Sequence, residues 1–387
     1  MNMKIDKIKN SDFLKQRRYE AFVFLLLFFG FFGYLGHHMG VTNLLNTIMN
    51  TSWDLLMNTV FYIMGITVLS GALGKLMIEF GVVRLLEMIL APLMRPLFHL
   101  PGVASLAALM TFFSDNPAII SLSNDKNFKG YFKERELISL TNFGTAFGMG
   151  LIVITFMSGL GYFSGAMIGL VGAVVGAIVS TRLMQYFIKN EPSVKGEQIS
   201  SKETIISFRS EGSAFLRFLN AILDGGKQGV NLGLAIIPGV LIISTAIMIV
   251  TFGPKDVAIG YQGLAYEGVP VLPKVASYVW WLFEGLFGFQ HPELIAFPIT
   301  SLGAVGAALS LVKAFIAEGF VGANEIAVFT AMGMCWSGYL STHTAMLDTL
   351  NHRELTSKAL SSHTIGGIVA GTVAHYLFVL LSLLGVV

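Results

Sequence analysis

Long apolar runs of near-spanning length alternate with short polar stretches along the whole chain. They cover residues 21–35, 55–77, 137–157, 164–187, 230–252, 326–347 and 365–387. Most approach the ~20 residues that a helix needs to cross a ~30 Å hydrocarbon layer. The pattern predicts about seven spanning helices in an all-α polytopic membrane protein. Two further apolar regions are interrupted: 102–122 by Ser114-Asp115-Asn116-Pro117, and 292–311 by Gly303-Ala304-Val305-Gly306. Each half holds about ten residues, ~15 Å of helix, too short to span alone. A re-entrant helical hairpin is expected at each place, in preference to one kinked spanning helix.

The basic residues decide that choice. Residues 40–53 hold no Lys or Arg and should form an outer loop, while Lys75, Arg84 and Arg95 should lie inside. Lys126, Lys129, Lys133 and Arg135 follow the first interruption. A spanning helix there would put all four outside, against the positive-inside rule; a hairpin keeps them inside. The same bookkeeping puts 158–163 and 253–275 outside and 189–217 inside. After a second hairpin, 318–324 falls outside and His352, Arg353 and Lys358 inside. The N-terminal cluster Lys4 to Arg18 leads into an apolar run with no small-residue cleavage site after it, so an uncleaved first helix with a cytoplasmic N-terminus is expected. The location expected is the inner (plasma) membrane.

Glu136 and Glu325 stand 189 positions apart, and one ungapped shift of that size superposes the two interruptions. It also pairs Thr111 with Thr300, Ser121 with Ser310, Thr141 with Thr330 and Gly144 with Gly333. The charge bias gives the two units opposite orientation. Inverted repeats with broken helices near the midplane are the layout of secondary transporters. The organisation expected is a first helix in 1–50, a first repeat in 51–188, a cytoplasmic link in 189–217 and an inverted second repeat in 218–387.

Composition agrees and narrows the classes. Of 387 residues, 54% are hydrophobic and only 12% charged, against about 25% charged in soluble domains. A net charge of +2 gives no reason to expect a nucleic-acid partner. A single cysteine, Cys335, excludes an internal disulfide and a cysteine-based metal cluster. No metal site, catalytic group or ATP-binding loop is expected, which makes an enzyme the weakest reading.

Polar residues at membrane depth are then the candidates for function. At the first interruption, Asn116 can cap and Pro117 can start the second half-helix. Asp115 beside them can bind an ion or solute, or face a small water pocket at a capped bend. Ser114 adjoins it. Thr141, Asn142 and Thr145 cluster on the following helix, as ligands or as glue between helices. In the second unit, Thr300 and Ser301 precede the tip, while Ser337, Thr342 and His343 lie on the helix after it. His343 can be a proton relay or a packing residue.

The stretch Asp224-Gly225-Gly226-Lys227-Gln228-Gly229 leading into Leu234-Ala235-Ile236-Ile237-Pro238, with hairpin-plus-helix units at 101–150 and 290–343, resembles the Gate-domain, or nucleoside-recognition-domain, membrane proteins. That group includes concentrative nucleoside transporters, the membrane part of ferrous-iron transport protein B and spore-maturation-type proteins. The resemblance covers most of the chain from about residue 50. It implies that Ser114, Asp115 and Asn116, Asn142 and Thr145, and Ser337 and Thr342 hold a nucleoside-like solute and a coupling ion, Na+ or H+. The implied alternative is a non-transporting, partner-dependent membrane protein. The partners expected are the lipid bilayer and a small solute, with a second copy of the chain left open.

Overall fold

The computed structural model describes residues 2–194 and 212–387, with side chains from residue 16 onward apart from residue 127. The link expected at 189–217 therefore falls largely outside the described residues. Among these the chain is helical, and an isolated bridge joins Asp256 to Gly260. Six helical stretches, with Glu134–Gly159 counted as one, are long and apolar enough to cross a membrane.

Helix α1 (Asn2–Met39) ends at Gly40, whose φ of 79° suits a residue without Cβ. Helix α2 (Val41–Glu79) follows at once. Residues 40–53 are thus helix, not the outer loop that their lack of charge suggested. Val41, Leu45, Met49 and Trp53 recur every four residues on an exposed apolar stripe, so this stretch can face lipid. Helix α3 (Val82–Phe98) comes next, where only an inside loop was expected. Two prolines lie within it, and left-handed His99 ends it.

The first interrupted region forms α4 (Ala104–Phe113) and α5 (Pro117–Asn124). The expected spanning run 137–157 is itself broken, into α6 (Glu134–Thr145) and α7 (Gly150–Gly159). Then come α8 (Phe163–Phe187) and α9 (Ala214–Thr251). Beyond a loop lie α10 (Val271–Ser277) and α11 (Trp280–Phe287). The second interrupted region forms α12 (Ala296–Gly303) and α13 (Val305–Ala317). The expected span 326–347 is also broken, into α14 (Ala323–Cys335) and α15 (Tyr339–Thr349), and is not among the six long stretches. Helix α16 (Thr356–Leu383) closes the chain.

The 189-residue shift holds for several of these elements. It carries Val82 and Phe98, the ends of α3, onto Val271 and Phe287, the ends of the α10–α11 pair. It carries the starts of α6 and α7 onto those of α14 and α15. Met149 and Gly338, also 189 apart, are the left-handed residues at the two breaks, with φ of 55° and 63°. Lone pairs at the ends of α3 and α11 are filled the same way: Arg182 of α8 donates through Nε to the Leu97 carbonyl at 2.7 Å and through a terminal nitrogen to Pro96, and Tyr376 of α16 donates to the Gly285 carbonyl at 2.8 Å. Helix ends that water cannot reach need such donors.

Corresponding long helices cross antiparallel, as an inverted repeat requires. On α2 and α9, Gly71 approaches Gly225, Thr67 approaches Gly229 and Met64 approaches Gly233. On α8 and α16, Gly172 approaches Ala374 and Gly176 approaches Gly366. Small residues let the backbones meet where lipid offers no hydrophobic drive for association.

The carboxylates of Glu136 and Glu325 accept the N–H groups of Lys133 and Gly322, at 2.9 and 2.8 Å, closing the first turns of α6 and α14. Each such cap satisfies an otherwise orphaned donor. Glu136 also pairs with Arg95 at 2.7 Å. Glu325→Ala should therefore cost about 1 kcal/mol, and Glu136→Ala somewhat more, read as heat denaturation in detergent. An unchanged midpoint for both would refute the capping role.

Candidate functional site

Both interruptions meet one cavity of about 390 Å³. Its wall includes Asp115, Asn116 and Pro117 from the first tip and Gly303, Ala304, Val305 and Gly306 from the second. The two helix breaks contribute Met149 on one side and Ser337 and Gly338 on the other. A second cavity, about 590 Å³, adjoins it and shares Asp115, Pro117, Leu232 and Ala235. Its wall adds Thr67, Lys75, Ser114, Gln228 and Asn231, with Ile78, Met110, Phe113 and Ile152 as apolar surface. Both volumes lie in the range of small-molecule sites.

Asp115 stands where the cavities meet. Its Oδ1 is buried and has no hydrogen-bond partner. A buried, unpartnered carboxyl oxygen is costly in protein and in lipid alike. Asn116 begins α5, but its side chain does not cap that helix. Its Nδ2 instead donates to the Ser337 carbonyl at 3.0 Å and to Ser337 Oγ at 3.3 Å. The first tip is thereby tied to the break of the second repeat, and the expected capping role is replaced by a bond between repeats. Gly338 is needed here: a Cβ on it would meet Asn116 Nδ2 at 2.4 Å.

The structure gathers Ser114, Asp115, Asn116, Ser337 and Thr342 around these cavities. It leaves the other expected residues away from them. Asn142 Nδ2 donates to Ser180 Oγ at 2.9 Å, Ser362 Oγ at 2.8 Å and the Ala359 carbonyl at 3.0 Å, which ties α6 to α8 and α16. Thr145 donates to the Thr141 carbonyl at 2.6 Å, and Thr141 is fully buried. Thr300 and Ser301 turn their hydroxyls back onto the carbonyls of Ala296 and Phe297, at 2.7 and 2.9 Å. These four-residue back-bonds are the ordinary use of hydroxyls in apolar helices. The polar cage expected before the second tip does not form.

His343 is also away from the cavities. Its Nδ1 donates to the Tyr339 carbonyl at 2.5 Å, and its ring lies 4.5 Å from that of His363, tilted by 58°. His363 comes from α16, so spacing along the His343 helix gave no sign of it. The His363 ring contacts Ser180 Oγ at 2.7 Å and donates to the Cys335 carbonyl, while Trp336 Nε1 donates to the His363 carbonyl at 3.2 Å. This cluster supports the carbonyl freed where α14 stops.

Sequence reasoning missed Lys75, Gln228 and Asn231 as wall residues. Lys75 was read only as a marker of sidedness. Gln228 and Asn231 lie on or just beyond the Gly-rich stretch that carried the family resemblance, and their i, i+3 spacing puts them on one helix face.

A third, smaller cavity of about 190 Å³ lies by the loop after α9. Its charges are matched locally: Lys255 with Glu318, and Lys313 with the Asn58 carbonyl. Tyr266 in that loop donates to Asp54, and burial first, then Asp54, hold its phenol above the ordinary value. The neighbouring cavity wall is thus already satisfied and does not compete as a site.

The overall arrangement is similar to solved structures of the concentrative nucleoside transporter CNTnw. Against its inward-facing, substrate-bound state the TM-score is 0.56, at 12% identity, covering 94% of this chain and 86% of that one. Against a double variant in an outward-facing state it is 0.55, again at 12% identity, covering 95% and 86%. At that identity the likeness defines the fold alone: a multi-pass helical membrane fold similar to that of CNTnw. Among curated proteins, the chain is similar to an uncharacterized protein of Alkalihalophilus pseudofirmus, 25% identical over 218 residues. The match covers 52% of this chain and spans about half of that relative, 46% of its length. No protein-family model matches the chain.

Proposed function

We propose that this chain is an ion-coupled secondary transporter of a small polar solute, nucleoside-like in size, held at the cavities beside Asp115. The observation that carries the reading is the convergence of both tips and both helix breaks on one cavity, with an unpartnered carboxyl oxygen at its junction with the next. Broken helices expose backbone groups that can coordinate a solute or ion only in a protein-lined cavity. The transport activity named for the structural neighbours supports the same conclusion. Na+ or H+ is the coupling ion, and alternating access comes from one repeat moving against the other. The plasma membrane is the proposed location, with the N-terminus in the cytoplasm. The expected repeats, 51–188 and 218–387, are the proposed moving units.

Reconstituted protein should take up solute into liposomes in a saturable way, and more under an inward Na+ or H+ gradient than without one. Saturable uptake without gradient dependence would remove the coupling. No saturable uptake across nucleosides, sugars and amino acids would favour the alternative, a partner-dependent membrane protein of spore-maturation type.

A further inference from the structure

The larger cavity carries a cation as well as an acid. Lys75 lies on α2 one turn before its end, and it lines the same 590 Å³ space as Asp115. The acid one helical turn on, Glu79, is paired with Arg217 at 3.4 Å. No carboxylate lies within ion-pair distance of Lys75 among the described residues, and Asp115 keeps a buried oxygen without a partner. The two opposite charges therefore face one cavity without neutralising each other. The same wall holds two amides, Gln228 and Asn231, and is otherwise largely apolar. An ammonium offers three donors and no acceptor. In a cavity walled by Ile78, Phe113, Ile152 and Leu232 its field is less screened than at an open surface.

We infer that the transported solute carries an anionic group, a carboxylate or a phosphate, which Lys75 binds while hydrogen-bond donors on the solute meet Asp115. A solute of that kind satisfies both unpaired groups at once; a neutral one leaves the lysine without an acceptor of matching charge. The amides of Gln228 and Asn231 present both donors and acceptors to the part between. This assignment rests on the transport reading above and specifies the ligand of that site.

The test uses full-length protein in liposomes and matched neutral and anionic probes. The pairs are uridine and uridine monophosphate, glucose and glucose 6-phosphate, and N-acetylleucinamide and N-acetylleucine. The wild-type protein should favour the anionic member of one pair by about ten- to a hundredfold, the worth of one charge-assisted hydrogen bond. The pair concerned distinguishes phosphate from carboxylate. Lys75→Gln should erase that preference, and Lys75→Arg should keep most of it; both lie on a partly exposed turn where folding is not at stake, and gel filtration verifies that. Uptake that favours the neutral members, or an anionic preference that survives Lys75→Gln, overturns the inference and leaves the transport reading standing. Failure of every probe in the wild-type protein overturns the transport reading and this inference with it.

Discussion

Asp115→Asn should abolish gradient-driven uptake while leaving the folded protein as heat-stable as before, or more so. Asparagine keeps the shape of the side chain and one carbonyl oxygen but removes the negative charge and the ability to exchange a proton. If Asp115 binds a coupling cation or a solute donor, uptake should fall by about a hundredfold, the ~3 kcal/mol expected for removing one charge from a buried polar contact. The stability expectation has the opposite sign. Oδ1 is buried and unpartnered, so removing the charge relieves a desolvation penalty instead of breaking a bond. A purely structural aspartate would behave otherwise, losing stability and activity together. Uptake at the wild-type rate by Asp115→Asn would exclude Asp115 as a ligand. Loss of uptake with a lowered melting temperature would exclude the separation of roles argued here.

The largest effect on folding should come from Gly229→Leu. Gly229 lies on α9 where it crosses α2, and a Cβ there would sit 2.3 Å from the Thr67 carbonyl oxygen. That oxygen belongs to rigid helix backbone, so no rotamer change relieves the clash. The two helices would have to separate by about 1 Å, losing dispersion contacts along the crossing. The hydrogen bond from Thr67 Oγ1 to the Gly229 carbonyl, 2.8 Å, would stretch as well. We expect a loss of about 3 kcal/mol, the upper end for an overpacked interior site. Because Thr67, Gly71 and Gly229 also line the larger cavity, any surviving protein should transport poorly. Gly226→Ala is the control: a Cβ there meets only Val68, at 3.7 Å, and both properties should persist. Equal melting temperatures for the two variants would refute the close crossing.

Much of this was legible in the sequence, though unevenly. The interruptions at 114–117 and 303–306 could be read because Asp-Asn-Pro and Gly-Ala-Val-Gly break an apolar helix by local chemistry alone. Glu136 and Glu325 marked the 189-residue spacing, while their capping of the first turns of α6 and α14 came from the structure. The breaks at Met149 and Gly338 were not legible. The residues around Met149 are apolar and average to a spanning helix, and its left-handed conformation becomes tenable only with neighbours packed on both sides. One signal was available: Gly148, Gly150 and Gly338 cluster about positions that the 189-residue shift superposes. The amphipathic helices α3 and α10–α11 escaped notice because their charges were counted only for sidedness.

Polar residues divide most sharply. Hydropathy and charge bias determined the class of protein and pointed to the repeat and to the interruptions at 114–117 and 303–306, because each depends on transfer of local segments between water and lipid. Those same rules say that Asn142, His343 and Asp115 need partners at membrane depth. They do not say which partners. Asn142 Nδ2 finds Ser180 and Ser362 from helices remote in sequence, while His343 Nδ1 finds the Tyr339 carbonyl on its own helix and its ring meets His363 of α16. Asp115 Oδ1, like Asn142 Oδ1 and His343 Nε2, finds none. Only the tertiary structure decided that, because a polar group's need for a partner is local, whereas the supply of one depends on which distant helices pack beside it.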